Sequence, residues 1–151
     1  MITASISKVE TLWGAMRVRS VRNHPEIRRF MTGNTERVGI LQQIVWWFFR
    51  DENLDLYLVT SIEYDVEIGY GLIKTEMGTS WLTGAILPKW QGNGFGRQLF
   101  ERLIEKAEPK AYIETMLAVR KNNVKAHALY SSLGFVEEER DGDTITMRLR
   151  K

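Results

Sequence analysis

The chain has 151 residues, the size of one compact domain with one sizeable core, and its 44% hydrophobic and 26% charged residues are ordinary for a soluble globular protein. Lys and Arg number 21 against 19 Asp and Glu; the formal charge of +2 is too small to argue for a nucleic-acid partner. The absence of cysteine excludes thiol catalysis, disulfides and thiolate-held metals, and the two distant histidines, His24 and His127, lack the spacing of a metal site, so no metal is expected.

No linker, repeat or low-complexity tract divides the sequence, so residues 1–151 read as a single domain. The start, "MITASISKVETLW", lacks a basic segment followed by an apolar run, and "IVWWFF" is far too short to span a bilayer, so a cytoplasmic protein without a membrane partner is expected. "ITASISK" is a candidate strand, and helical patterning follows over 10–22. A polar break at "RNHPE" comes next, where Pro25 suits a first helical turn and His24 is expected to face solvent. A helix is predicted over 35–51, with Ile40, Leu41, Ile44, Val45, Phe48 and Phe49 at three-to-four spacing as its buried face. Its aromatic run, Trp46 to Phe49, points in several directions. At most two of these rings can face the core, leaving the others for a cleft or a partner surface.

The period then changes from helical to alternating. "LDLYLVTSI" and "VEIGYGLIKTE" read as an antiparallel hairpin, and "SWLTGAIL" as a third strand stopped by Pro88. A glycine-rich loop leads into a helix from about 94 to 107, followed by the strand "AYIETMLAV" and the helix "NVKAHALYSSL", with Gly134 as its C-cap. "FVEEERDGDTITMRLR" closes as two strands around Asp141 and Gly142. The fold class is therefore α/β (α+β): a mixed, mostly antiparallel sheet of six to seven strands flanked by about four helices, with a parallel crossover only in the second half.

The loop in "LPKWQGNGFGRQLFERL" sets glycine at 92, 94 and 96. A dinucleotide fingerprint would need glycine where Arg97 stands, and a P-loop would need a following Gly-Lys-Ser/Thr, so both nucleotide readings fail on spacing. A plain flexible turn is the simpler reading. The loop nevertheless joins a strand directly to a helix, aiming several N–H groups and the helix dipole at one point, with Arg97 in the first turn to add a charge. That arrangement suits a pyrophosphate.

"QGNGFG" (Gln91 to Gly96), preceded by "ILP" (Ile86 to Pro88), resembles the Q/R-x-x-G-x-G/A signature of the GNAT superfamily of acyl-CoA-dependent N-acyltransferases. "VRKNNVKAHALYSSLGF" resembles the family's second block, with Asn123, Ala126, Leu129, Tyr130, Gly134 and Phe135 in place. The resemblance implies a GNAT-like fold and transfer of an acetyl group from acetyl-CoA to a primary amine of a small molecule, an amino sugar or a peptide, by direct attack in a ternary complex. It implies that the backbone of Gly84, Ala85 and Ile86 pairs with the pantetheine arm, that the N–H groups of Gly92, Asn93, Gly94, Phe95, Gly96 and Arg97 hold the pyrophosphate, and that Gln91 belongs to the cofactor-binding set. Asn123 contacts the cofactor arm, serves as an N-cap, or does both.

Tyr130 lies two helical turns beyond Asn123, and in the family this tyrosine protonates the departing thiolate; the other reading is a core tyrosine. An amide on a bulged strand near Ile86 and Leu87 would polarise the thioester carbonyl. Some members carry a glutamate base where this chain has Ala118; Glu114, Glu67, Tyr70 or a water chain are the substitutes. "RNHPEIRRFM" is similar to the W-R-N-x-x-x-V-R-x-x-M opening of members acting on amino sugars attached to nucleotides or on protein N-termini, with Val21 in place of the tryptophan. A catalytically weak acyl-CoA-binding regulatory or assembly module is the alternative, its support being Ala118. The basic stretch "MRVRSVRNHPEIRR" is diluted by acids, so no nucleic acid is expected; a homodimer is left open.

Overall fold

The computed structural model describes residues 2–150. Seven strands form one sheet in the order β1-β2-β3-β4-β5-β7-β6: β1 (Ala4–Lys8), β2 (Leu54–Ser61), β3 (Glu67–Glu76), β4 (Thr79–Ile86), β5 (Glu114–Arg120), β6 (Phe135–Asp141) and β7 (Thr144–Leu149). Only β4 and β5 run parallel, joined by a crossover through a helix. The helices are α1 (Leu12–Arg22), α2 (Pro25–Arg29), α3 (Ile40–Phe49), α4 (Phe95–Ala107) and α5 (Val124–Ser132). Among the described residues, no helix is long and apolar enough to cross a membrane.

Alternation along the strands divides the core between two faces. Tyr57, Val59, Ile73, Leu82 and Leu117 pack with Leu99, Phe100 and Leu103 of α4 and with Tyr130 of α5. Leu56, Leu58 and Tyr70 pack on the other face with Ala15, Val18 and Val21 of α1, Ile27 of α2 and Trp47 of α3. Gly71 and Gly84 pair across β3 and β4 and make a flat seat for α4. A Cβ at Gly84 would lie 2.8 Å from the Phe100 ring, so the close approach of helix to sheet requires glycine there.

Three expectations change. The short α2 is an added helix: Pro25 occupies its first turn and His24 Nδ1 accepts the Glu26 N–H at 3.2 Å, so His24 is a half-buried cap and not a solvated turn residue. The third helix starts at Ile40 rather than near Thr35, because α1 holds the preceding segment extended. Arg22 donates to the carbonyls of Asn34 and Glu36, Arg19 to that of Val38, and the Asn23 amide exchanges two hydrogen bonds with Val38.

The third change is the buried face of α3. Gln43 and Trp47 are buried, Trp46 partly so, while Ile40, Leu41, Val45, Phe48 and Phe49 are 50–85% exposed. All residues of α3 except Gln42 and Gln43 are apolar, so a three-to-four spacing can be drawn around either side and cannot select one.

Candidate active site

The site begins where the sheet splits. β4 and β5 pair from Thr79↔Glu114 to Leu82↔Leu117 and then part. Beyond that point β4 keeps its register with β3 as far as Gly69↔Ile86, and β5 keeps its register with β7 as far as Arg120↔Thr144. The expected bulge near Ile86 and Leu87 is therefore absent: the Leu87 N–H donates to Ile68 at 2.8 Å and continues the regular ladder. Alternation then turns the N–H groups of Gly84 and Ile86 toward the split, where no strand pairs with them. An extended ligand can take the place of the missing strand.

Beyond the split lies the glycine loop. Pro88–Trp90 form one tight turn, and the Trp90 ring packs edge-on against buried Phe95, which ties the loop to the core. Gln91 Nε2 donates to the Ile86 carbonyl at 2.9 Å, and the Asn93 amide donates to the carbonyls of Trp90 and Gln91. Gly92 and Gly94 have φ of +80° and +83°, and a Cβ at either would meet nothing within 4 Å. Both glycines therefore set the chain direction and leave open space in front of it. Gly94 caps α4 without a side-chain hydrogen bond, so the first N–H groups of that helix lie free for an anion. α5 differs: the Asn123 side chain accepts the Ala126 N–H at 3.4 Å and closes its amino end. Arg97 borders the loop, with its guanidinium on Ser132 Oγ and near Glu101.

A cleft of about 1080 Å³ runs through the split and is lined by residues from both halves of the chain. Gly84, Ala85, Ile86, Gln91, Gly92, Gly94, Gly96, Arg97, Asn123 and Tyr130 all reach it, as do Tyr70 and Ala118. Phe95 is buried in the core and the Asn93 amide nitrogen is spent inside the loop, so the donors these two offer a ligand are main-chain N–H groups. Glu114 does not line the cleft. It pairs opposite Thr79 at the closed end, four residues and about 13 Å of strand from Ala118. Glu67 sits at the open end of β3, two residues before Gly69, but it is held by Arg17, Nε to Oε1 2.8 Å, and does not line the cleft. The structure therefore brings neither carboxylate to the site.

Tyr130 is 8% exposed, with the Phe100 ring centroid at 4.8 Å and that of Phe135 at 6.2 Å. Burial, with a smaller effect from neighbouring Tyr70, pushes its hydroxyl well above the ordinary tyrosine value, so it is protonated throughout the working pH range. Burial raises Tyr70 as well. Sequence reasoning missed the far wall, formed by Glu26, Arg29, Phe30, Met31 and Thr32 from α2 and the loop after it. Arg120 Nε donates to the Met31 carbonyl at 2.6 Å, clamping that loop to β5 across 89 positions of sequence. No local pattern announces such a contact.

An open strand edge, a helix start presenting free N–H groups and a buried phenol lie together on one cleft. Residues 18–135 match the acetyltransferase (GNAT) family. The chain belongs to that family. It is 38% identical over 110 residues to the [ribosomal protein bS18]-alanine N-acetyltransferase of Haemophilus influenzae, covering 68% of this chain and 75% of that protein. The Salmonella typhimurium protein of the same name is 45% identical over 53 residues, and that stretch spans only 36% of it. Among solved structures, the spermidine N-acetyltransferase from Vibrio cholerae in complex with CoA and spermine superposes with a TM-score of 0.78 at 18% identity, over 96% of this chain and 92% of that one. This GNAT fold, with a seven-stranded and mostly antiparallel sheet, agrees with the fold class read from sequence.

Proposed function

We propose that the protein transfers an acetyl group from acetyl-CoA to a primary amine, and that the amine at a peptide's amino terminus is the first acceptor class to test. The observation that carries the transfer reading is the coincidence of the unpaired edge at Gly84 to Ile86, the uncapped start of α4 and buried Tyr130 on one cleft. The fit to coenzyme A rests on the empty space before Gly92 and Gly94 and on the uncapped N–H groups beyond them, which suit a pyrophosphate. Bound acetyl-CoA supplies the acyl group as an activated thioester.

The chain's own residues then do the following. Gly84 hydrogen-bonds the arm along the open edge, and Arg97 adds charge beside the loop. Asn123 keeps its capping bond and lines the path. An Ile86 N–H turned toward the split stabilises the negative charge that develops on the carbonyl oxygen under attack. Tyr130 donates its proton toward the departing sulfur and is reprotonated from solvent. The amine must arrive neutral and lose one proton as the amide forms. With Ala118 in the cleft and Glu67 and Glu114 outside it, that proton leaves through water, past Tyr70. Catalysis thus depends on positioning more than on a dedicated base.

The peptide reading draws on the relatives named as bS18-alanine N-acetyltransferases. It draws also on the exposure of Glu26, Arg29 and Thr32, which leaves the far wall open to solvent as a groove. Thioester cleavage measured against a panel of peptides, polyamines and amino sugars tests it. Peptides are expected to react fastest; a preference for polyamines or amino sugars would move the acceptor class and keep the transfer. No cleavage with any amine, together with retained CoA binding, would favour the alternative of a binding module.

A further inference from the structure

The exposed face of α3 has no role in the cleft. None of its residues lines the site, yet Leu41, Val45 and Phe48, at i, i+4 and i+7, form one stripe with Phe49 beside it. Their exposures are 73, 50, 68 and 85% in that order. At roughly 150–200 Å² for each fully open side chain, they present on the order of 500 Å² of apolar surface, in the upper range of what a monomer leaves in one patch. We propose that this stripe is the contact of a homodimer, with α3 of one copy packed antiparallel on α3 of the other about a twofold axis near Val45.

Three observations favour a second copy over other occupants. The area fits: doubling the patch gives about 1000 Å², the least that a specific interface needs. The stripe is self-complementary, because no charged residue lies in Ile40–Phe49 and a twofold contact sets a patch against itself. The flanks also match. Glu36 and Arg37 precede the helix and Arg50, Asp51 and Glu52 follow it. Arg50 is turned back on its own helix, its guanidinium 3.6 Å from the centre of the Trp47 ring. Antiparallel packing sets Arg37 of each copy near Asp51 and Glu52 of the other and lets the helix dipoles oppose. Parallel packing would set like flanks together. A membrane surface fits less well, since an interfacial helix is rimmed by basic residues and the carboxyl flank here is acidic.

The test uses the full chain in solution. Light scattering coupled to size exclusion should give twice the 17.5 kDa monomer at micromolar concentration, and Leu41→Glu with Phe48→Glu should return it to 17.5 kDa. Because both side chains are exposed in the single chain, the variant monomer should stay folded, with an unchanged far-UV CD spectrum and a thermal midpoint that no longer depends on protein concentration, and a Val45→Arg variant repeats the test by a different change. The chain has no cysteine, so Val45→Cys introduces the sole thiol. Under mild oxidation it should form a covalent dimer at least tenfold faster than Met77→Cys, which is 91% exposed on the β3–β4 turn. A wild-type monomer at about 100 μM, a dimer indifferent to the glutamates, or equal cross-linking at both thiols would each overturn the proposal.

Discussion

The two ends of the cleft are built from different material. At the end of Gly84–Ile86, the glycine loop and the start of α4, the groups that face the cleft are mostly main chain, and the side chains nearby serve to shape that main chain. Gln91 and Asn93 fold the loop on itself, and Phe95 and Trp90 anchor it. At the opposite end, Glu26, Arg29, Phe30 and Met31 meet Tyr70, Trp81 and Ala118, which belong to separate strands. A main-chain seat can recognise one ligand while most of its side chains drift. A side-chain wall changes its ligand with each substitution, which is why fold likeness carries the donor further than the acceptor.

The largest effect is expected where the two ends meet. Tyr130→Phe should lower turnover by about 100-fold, the usual scale for losing a positioned acid. Affinity for CoA should stay within about twofold in calorimetry, since the ring and its contacts with Phe100 and Phe135 remain. Equal losses in turnover and affinity would mean that the phenol serves the seat and not the reaction.

Gly94→Val attacks the main-chain end alone. A β-branched residue at φ +83° costs about 1–2 kcal/mol and projects into the open space, so CoA should bind about 5- to 30-fold more weakly. Steady-state kinetics at saturating donor should recover most of the turnover. Affinity unchanged from wild type would remove the loop from the donor seat.

Arg120→Ala tests the other end. It frees the Met31 carbonyl and loosens the wall after α2, so the acceptor KM should rise about fivefold, on the order of 1 kcal/mol, while the affinity for CoA does not change. A matching change in donor affinity would show that the two ends are not separable.

The smallest effect lies outside both ends. Arg140 first, and His127 with it, hold exposed Glu137 down to about 2 from its ordinary 4.5. Because the folded value is the lower one, its contribution to stability is whole above pH 4.5 and is lost as the pH falls toward 2. Carboxyl NMR titration should find its midpoint near 2; a midpoint near 4.5 would show the cluster to be open in solution, with acetyl transfer unaffected in either case.

Legibility from sequence follows the same division. The glycine loop and the block from Asn123 to Phe135 carry their conformation in local spacing, and the structure sets them on one cleft. Strand alternation correctly put Glu114 on the face of Ala118, but only the β4–β5 register shows how far up the strand it lies. The far wall depends on Arg120 reaching Met31, and the segment before α3 depends on Arg19, Arg22 and Asn23. Such long-range capture of backbone carbonyls leaves no periodic trace. The reversed face of α3 failed for a different reason, because a helix apolar on all sides contains no stripe to read.

Backbone amide NMR during a titration with CoA tests the division most directly. The amides of Gly84, Ile86 and residues 92–97 should shift together along one saturable curve, while those of residues 26–33 stay near their free positions until an amine acceptor is added. Shifts concentrated in residues 26–33 on CoA alone, or none in the glycine loop, would contradict it.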